Sequence, residues 1–261
     1  MSINVLFIGD IFAKTGRTCV SRLLPVLLEE YKVDYVIANC ENASHGRGLS
    51  MAAADEILQA GVNFITMGNH TWNNKEIFDF IDSYPIIRPA NFSQDLPGKG
   101  SCVQNTPFGT IGILNLSGRV YMDPCDNPFE CALKHIYKLR EETGIIFVDF
   151  HAEATAEKLA LASYIDGLVT AVIGTHTHVA TADERLLPGG TAFITDVGMT
   201  GPHDSIIGMK KTGVINKFVM GIPQVFEPAT SQTQLHAVLI KVDEKTGFAE
   251  SIERISRNFG K

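Results

Sequence analysis

The sequence predicts an α/β fold in which two mixed β-sheets form a sandwich covered by helices. In the first half of the chain, short apolar runs alternate with segments of helical spacing, which favours parallel strands joined by right-handed crossovers. In the second half, a hairpin pattern and further separate strands follow. This change of character favours two mixed sheets over a single doubly wound sheet.

Five short apolar runs are predicted to be buried strands. They are continuous rather than alternating and are rich in β-branched and aromatic residues, as expected for strands buried on both faces. Periodicity alone does not separate such runs from buried helix, but the flanking turn residues favour strand. The runs are Val5–Ile8, Val33–Ala38, Phe64–Met67, Ile145–Val148 and Leu168–Ile173.

Four segments between the runs have helical spacing. Ser50 is placed to cap one of them, and Asn127-Pro128 to open another. In a third, Pro25 predicts a kink or an early end. The predicted helices are Met51–Ala60, the segment from Pro128 to about Gly144, Val20–Leu28 and Ile77–Ile81.

The second half of the chain adds strands of a different kind. Ser101–Leu116 is predicted to be a hairpin with its turn at Pro107–Gly109. Thr191–Thr195 and Leu235–Val242 are predicted strands near the C-terminus. No repeat or linker divides the chain, so we expect one domain over residues 1–261.

The composition bounds the class of protein. With 261 residues, 45% of them apolar, the chain can bury a sizeable core. The net charge of −7 argues against binding to duplex nucleic acid, which depends on clustered Lys and Arg, although bound divalent ions would still allow a small anionic substrate. Five cysteines without a C-x-x-C pair, and the lack of a signal-peptide or membrane-span pattern, predict a cytoplasmic protein with reduced thiols and no membrane partner.

Metal-type side chains follow the predicted strands. Because the carboxyl ends of strands in open α/β sheets face one crevice, these side chains are expected to converge. Their mixture of carboxylates, amides and imidazoles indicates transition metals, and there are more of them than one ion needs. A pair of ions sharing a carboxylate, as in metal-dependent phosphoester hydrolases, would use two carboxylates, two amides and three histidines. The side chains are Asp10, Glu41, Asn42, Asn69, His70, His151, His176 and His178.

Each candidate has an ordinary alternative when it is taken alone. Asp10 and Asn42 are also typical turn formers. Arg47 is a candidate phosphate ligand or a solvated turn residue, and His203 lines the cleft or lies on the surface. Trp72 either stacks on a base or packs in the core. The ordered combination of motifs is what favours the metal site.

These motifs resemble the metallophosphoesterase signature of the calcineurin-like superfamily, which runs Asp-x-His, Gly-Asp, Gly-Asn-His with an acidic residue, and Gly-His-x-His. Here Phe12 replaces the first histidine, Glu41-Asn42 stands where the bridging aspartate would be, and Thr71 follows Gly-Asn-His. With these departures the sequence resembles the bacterial YmdB-type phosphodiesterases. The Gly-Asp-Ile and Glu-Asn-Ala motifs of that branch are found here at residues 9–11 and 41–43. Asp196–Pro202 also resembles that branch.

The resemblance implies a four-layer α-β-β-α sandwich with two mixed sheets and a site for two transition-metal ions, Fe or Mn. It also implies that Glu41 bridges the ions and that His70 is the general acid, protonating the leaving ribose oxygen while a metal-bridged hydroxide attacks phosphorus. Glu41 would share one ion with Asp10, Asn42 and His178, and the other with Asn69, His151 and His176.

The implied substrates are 2′,3′-cyclic nucleoside monophosphates, which would be opened to 3′-phosphates. Two alternatives remain open. One is a broad-specificity phosphomonoesterase or RNA-end phosphoesterase at the same metals, and the other is a metal-binding regulatory protein that acts through a partner. A homo-oligomer is an expectation from the family alone.

Overall fold

Two mixed β-sheets pack face to face, and helices cover the outer face of each. This arrangement is seen in the computed structural model, which describes residues 2–259. It confirms the predicted four-layer α-β-β-α sandwich.

Fourteen strands in the described residues form the two sheets. They are β1 (Ser2–Ile8), β2 (Asp10–Ile11), β3 (Tyr35–Asn39), β4 (Phe64–Thr66), β5 (Ile86–Ile87), β6 (Ser101–Thr106), β7 (Gly109–Ser117), β8 (Ile146–His151), β9 (Ala171–Thr175), β10 (Arg185–Leu186), β11 (Ala192–Ile194), β12 (Met199–Pro202), β13 (Thr233–Asp243) and β14 (Ala249–Phe259). The first sheet has the order β2-β12-β13-β1-β3-β4-β5, with β14 paired to β13, and the second has the order β10-β11-β9-β8-β7-β6.

In each sheet, the strands that precede the candidate site residues are paired in parallel. In the first sheet β1, β3, β4 and β5 are parallel, and in the second β7, β8, β9 and β11 are parallel. Antiparallel strands flank both sets, and the predicted hairpin is the β6–β7 pair. The parallel strands therefore deliver their carboxyl ends to one edge of the sandwich.

The helices are α1 (Ala13–Glu30), α2 (Met51–Gln59), α3 (Ile77–Phe80), α4 (Pro128–Arg140), α5 (Thr155–Tyr164) and α6 (Lys211–Met220). Ser50 caps α2 by accepting a hydrogen bond from the backbone N–H of Ala53, and Asn127 caps α4 in the same way from Phe129. None of the helices in residues 2–259 combines the length and the apolar character that crossing a membrane requires.

The expected early end of the first helix is wrong, because α1 runs through Pro25 to Glu30. Pro25 lies on the exposed face of α1, where water can solvate the carbonyl oxygen that loses its usual N–H partner. The predicted Leu168–Ile173 strand begins only at Ala171. Its first residues form a turn in which the N–H of Leu168 donates to the carbonyl oxygen of Ile165, and Gly167 adopts φ +79°.

Three apolar clusters explain the four layers. The first packs α1 and α2 on the outer face of the first sheet, through residues such as Leu24, Ile57 and Leu6. The second fills the space between the sheets, and the third packs α4 and α5 on the second sheet, through residues such as Ile136 and Leu161. Because all three clusters are buried, the loops at the carboxyl ends of the strands are held on a rigid base.

Candidate metal centre

The predicted ligands converge where carboxyl ends from both sheets meet. Asp10 follows β1, Glu41 and Asn42 follow β3, Asn69 and His70 follow β4, His151 ends β8, and His176 and His178 follow β9. Four of them, Asp10, Glu41, Asn42 and His151, are almost completely buried. The side chains of the predicted ligands form two groups, with Glu41 between them.

The first group surrounds Nε2 of His151. This nitrogen lies 2.9 Å from Oδ1 of Asn69, 3.0 Å from Nδ1 of His176 and 3.1 Å from Oε1 of Glu41. Two ligands at right angles on an ion with bonds of about 2.1 Å lie roughly 3.0 Å apart. The distances of the three atoms from Nε2 of His151 therefore fit ligands of a single transition-metal ion, and Glu41, His151 and His176 form a compact group of metal-type ligands.

The second group consists of Asp10, Asn42 and His178. Nδ2 of Asn42 lies 3.4 Å from Oδ1 of Asp10 and 3.1 Å from Nε2 of His178. Oδ1 of Asp10 and Nε2 of His178 are 3.8 Å apart. The amide oxygen of Asn42 faces away, toward Nδ1 of His70 at 2.9 Å. Asn42 would bind an ion through this oxygen after a half-turn of the amide.

Glu41 contacts both groups. Its Oε1 accepts a hydrogen bond from Nδ2 of Asn42 at 3.1 Å, besides facing His151. Its Oε2 accepts a hydrogen bond of 2.7 Å from the backbone N–H of His70. Gly68 makes this approach possible, because a Cβ there would lie 2.4 Å from Oε2 of Glu41.

The charges of the centre favour a bound cation. Burial raises the pKa of Asp10. Burial also opposes ionisation of Glu41, but His151 and His70 outweigh it and hold the pKa of Glu41 well below its usual range. Burial would lower the pKa of His151, yet Glu41 and Asp10 raise it to about 9. A fully buried imidazole that retains a proton marks a negative potential, and a metal ion would satisfy it instead.

A buried network orients His151. Its Nδ1 lies 2.9 Å from Oγ1 of Thr175, which donates a 2.7 Å hydrogen bond to Asp149. Asp149 also accepts hydrogen bonds from Nδ2 of Asn39 and Oγ1 of Thr66. Partners of this kind fix the ring orientation of a metal-binding histidine. Asp149 was not predicted, although a charged residue directly after a buried apolar run is a usable signal.

A buried ion pair holds the loop that carries His176 and His178. Nζ of Lys158 lies 2.7 Å from Oδ2 of Asp196 and donates to the carbonyl oxygen of Thr175 at 2.8 Å. The same Oδ2 accepts a hydrogen bond from the backbone N–H of Thr177. No sequence pattern indicated Lys158, because no helix was predicted over residues 155–164 and lysine side chains are mostly exposed in folded proteins.

The histidine loop needs this support because its backbone is strained. His176 has φ +101° and His178 has φ +64°, conformations that residues with a side chain rarely adopt. Each ring has a second contact: Nε2 of His176 lies 3.1 Å from Oε2 of Glu153, and Nδ1 of His178 lies 3.0 Å from the carbonyl oxygen of Ile207. Burial and the neighbouring His151 lower the pKa of His176 to about 3, so its ring is neutral and suited to bind a metal.

The other predicted residues have different surroundings. Arg47 is exposed and lines a cavity together with His70, whose side chain is 24% exposed. His203 places Nε2 3.1 Å from the carbonyl oxygen of Met199 and packs its ring on His236, so the structure does not bring it to the ligand groups. Trp72 stacks on Phe78 with a centroid distance of 5.0 Å. The roles of Arg47 and His203 in binding stay predictions.

Phe12, which occupies the position of a missing histidine, packs against the centre without donating a ligand. Its ring lies edge-on to His178, with the centroids 5.6 Å apart. Gly46 and Gly208 lie against this ring, and a Cβ at either would lie 2.7 Å from it.

Comparison with known proteins gives a consistent result. The family described as YmdB-like protein matches residues 6–255. A 2′,3′-cyclic-nucleotide 2′-phosphodiesterase from Bacillus subtilis (strain 168) is 48% identical over 257 residues, which are 98% of this chain and 97% of the relative.

Two solved structures have the same fold along nearly the whole chain. A hypothetical protein from Thermus thermophilus superposes with a TM-score of 0.92 at 40% identity, over 98% of this chain and 99% of the other. A protein described as a novel phosphatase, from Mycoplasma pneumoniae, superposes with a TM-score of 0.93 at 39% identity, over 99% of this chain and 94% of the other.

Proposed function

Because this chain belongs to the YmdB-like protein family, we propose that it is a dinuclear metal-dependent phosphodiesterase that hydrolyses 2′,3′-cyclic nucleoside monophosphates to 3′-phosphates. The name of the Bacillus subtilis relative supports the substrate class, since the similarity extends over 98% of this chain. The observation that carries the proposal is the position of Glu41, whose carboxylate contacts a side chain of each group, His151 in the first and Asn42 in the second.

The two groups would each hold one transition-metal ion, Fe or Mn, with Glu41 shared. When bound, such a pair supplies Lewis acidity at phosphorus and lowers the pKa of a bound water. The remaining ligands would be Asp10, Asn42 and His178 for one ion, and Asn69, His151 and His176 for the other.

Protein groups would keep Glu41 and His176 in their binding form. Glu41 is ionised at neutral pH because of its low pKa, and His176 is neutral because its pKa is about 3. Thr175 and Asp149 hold Nδ1 of His151, so that its Nε2 points into the centre. The ligand atoms therefore need little rearrangement to bind metal, apart from the amide of Asn42. His151, whose pKa is raised to about 9, would release a proton when metal binds.

His70 is the proposed general acid. Its Nδ1 lies 3.1 Å from Oε1 of Glu41, which would hold the proton on Nδ1 once the amide of Asn42 has turned toward the ion. Nε2 is left to carry the proton that is transferred. In the reaction the bond between phosphorus and O2′ breaks, oxygen from water joins phosphorus, and His70 protonates O2′.

A phosphomonoesterase is the second candidate, because the Mycoplasma pneumoniae protein of the same fold is described as a phosphatase. Both activities need the same metals and differ in whether the 3′-phosphate product is a substrate itself. A regulatory protein that retains the metals but acts through a partner is the third, and its cellular effect would survive Glu41→Gln.

The test is hydrolysis of 2′,3′-cyclic AMP, 3′-AMP and a short RNA by metal-loaded protein, with the products separated by chromatography. We expect the wild type to form 3′-AMP from the cyclic nucleotide and to leave 3′-AMP and RNA unchanged. Glu41→Gln should lose this activity and part of the bound metal, whereas Glu250→Gln on the exposed surface should retain both.

Each other outcome contradicts the proposal in a different way. Release of phosphate from 3′-AMP, or processing of the RNA ends, would favour the phosphomonoesterase. No turnover of any substrate by wild type with two ions bound would refute the phosphodiesterase and favour the regulatory protein.

A further inference from the structure

A cavity of about 340 Å³ adjoins the proposed metal centre. Asn42, His70 and His178 form its inner wall, and these side chains also belong to the centre. Its volume lies in the usual range for small-molecule sites. A molecule bound at the centre and extending past His70 therefore enters this cavity.

The remaining walls of the cavity are largely apolar and aromatic. They include Phe12, Ile207, Met209, Val214, Phe218 and Phe226. Two basic side chains also line it, Arg47 and Lys217, and Nζ of Lys217 lies 5.3 Å from the ring centroid of Phe226. None of the described residues that line this cavity is acidic.

The outer wall belongs to residues 208–229, which leave the body of the protein and return to it. Backbone hydrogen bonds close this segment at its base, from Ala229 to Gly208 and from Lys210 to Glu227, each 2.8 Å long. Helix α6 lies within it, and Phe218 on α6 is 80% exposed although it faces the cavity. An aromatic side chain left this exposed beside a polar centre is available to a planar ligand.

The geometry points to this cavity as the nucleobase subsite, in which the base of the cyclic nucleotide stacks on aromatic side chains such as Phe218. The inference rests on the proposed function. With the phosphate at the ions and the ribose oxygen at His70, the base is directed away from the ions and past His70. The surface next to His70 on that side is apolar, which suits the faces of a base.

A second cavity competes for the base. It has a volume of about 540 Å³ and is reached from Asn69, with Trp72 and Phe92 among its lining residues. Asp123 and Asp126 also line it, and no basic side chain does so among its described lining residues. An anionic nucleotide is disfavoured there by charge, and His70 is not part of its wall.

The composition of the smaller cavity predicts the specificity. Stacking on apolar surface accepts every base, and the larger purines gain more contact than the pyrimidines. Few side chains in the wall can read hydrogen-bonding edges. We therefore expect all four nucleoside 2′,3′-cyclic phosphates to be substrates, with A and G moderately preferred over C and U.

The experiment compares 2′,3′-cyclic AMP with 1-O-methyl-β-D-ribofuranose 2,3-cyclic phosphate, which retains the reacting group and lacks a base. Wild type should prefer the nucleotide in kcat/KM by about tenfold or more, as expected for the loss of base stacking. Phe218→Ala should lower kcat/KM for the nucleotide about tenfold, mainly through KM, and leave the base-free substrate unchanged. Val219→Ala, the neighbouring position at 76% exposure and outside the cavity lining, should match wild type on both substrates.

The failures are distinguishable. Equal kcat/KM for both substrates in wild type, or an equal loss on both in Phe218→Ala, overturns the base subsite and leaves the phosphodiesterase intact. A nucleotide-specific loss in Phe92→Ala instead of Phe218→Ala moves the base to the larger cavity. No hydrolysis of either substrate by wild type with two ions bound overturns the proposed function, and the subsite with it.

Discussion

Replacing Lys158 by methionine removes one partner of the buried ion pair with Asp196. Both side chains are almost completely inaccessible, at 1% and 0% exposure. Breaking such a pair costs about 3–5 kcal/mol, because a charge is left buried without its partner. Asp196 keeps hydrogen bonds from the backbone N–H groups of Thr177 and Gly198, so the lower end of that range applies. We expect a loss of roughly 3 kcal/mol in the free energy of unfolding.

The assay is urea unfolding followed by circular dichroism, in the presence of a chelator so that bound metal does not contribute. With an m-value of about 3 kcal/mol/M, the loss corresponds to a midpoint shift of roughly 1 M. Lys241→Met is the matched control, because Lys241 pairs with Glu250 at 2.9 Å on the exposed surface. Its unfolding free energy should change little.

A second variant tests the cause. Adding Asp196→Asn to Lys158→Met removes the unpaired charge, so the double variant should regain part of the lost stability. A loss below about 1 kcal/mol in Lys158→Met, with an unchanged m-value, would refute the reasoning. So would a double variant whose loss equals the sum of the losses measured in Lys158→Met and in Asp196→Asn alone.

Three further predictions concern the centre and its surroundings. Glu153→Gln should weaken metal binding about tenfold, because the carboxylate holds Nε2 of His176; unchanged affinity in a metal titration would contradict this. Gly68→Ala should reduce the amount of bound metal measured by elemental analysis, because its Cβ would clash with Glu41 and His151. Gly144→Ala is the control. A Cβ at Gly144 meets no heavy atom closer than 3.9 Å, so this variant should bind metal normally. Burial and His203 lower the pKa of His236 to about 4 from an ordinary 6.5. As the pH falls, His236 is therefore protonated in the unfolded chain before it is protonated in the folded protein. The stability contribution of neutral His236 is complete above pH 6.5 and is lost as the pH falls toward 4. His236→Gln should therefore lose less unfolding free energy than wild type over this range, and an equal loss would show that another group is responsible.

The layers of the fold and the convergence of the ligands could be predicted from the sequence, because both depend on where the strands lie and where they end. An apolar run followed by Asp10, Glu41 or His151 identifies a strand and the edge at which it ends, and the parallel topology then brings those edges together. The fold class is confirmed. The structure brings the predicted ligands into two groups, while their binding of metal stays a prediction.

The remaining features depend on tertiary contacts that no local pattern carries. Lys158 has no distinctive sequence context, and its role appears only when α5 packs it against Asp196. The continuity of α1 through Pro25 depends on which face of the helix is exposed. The strand character of Asp10 and Met199 arises only because two distant short segments pair with each other.

Asp149 joins the two halves of the sandwich at the edge where the centre lies. It belongs to β8 in the second sheet, and it accepts hydrogen bonds from Asn39 and Thr66 of the first sheet at 2.9 Å and 2.5 Å. The proposed ligands divide along the same line, with Glu41 supplied by one sheet and His151 by the other. Bound metal would therefore link the two sheets, and a displacement of one sheet relative to the other would change the distances between the ligand atoms.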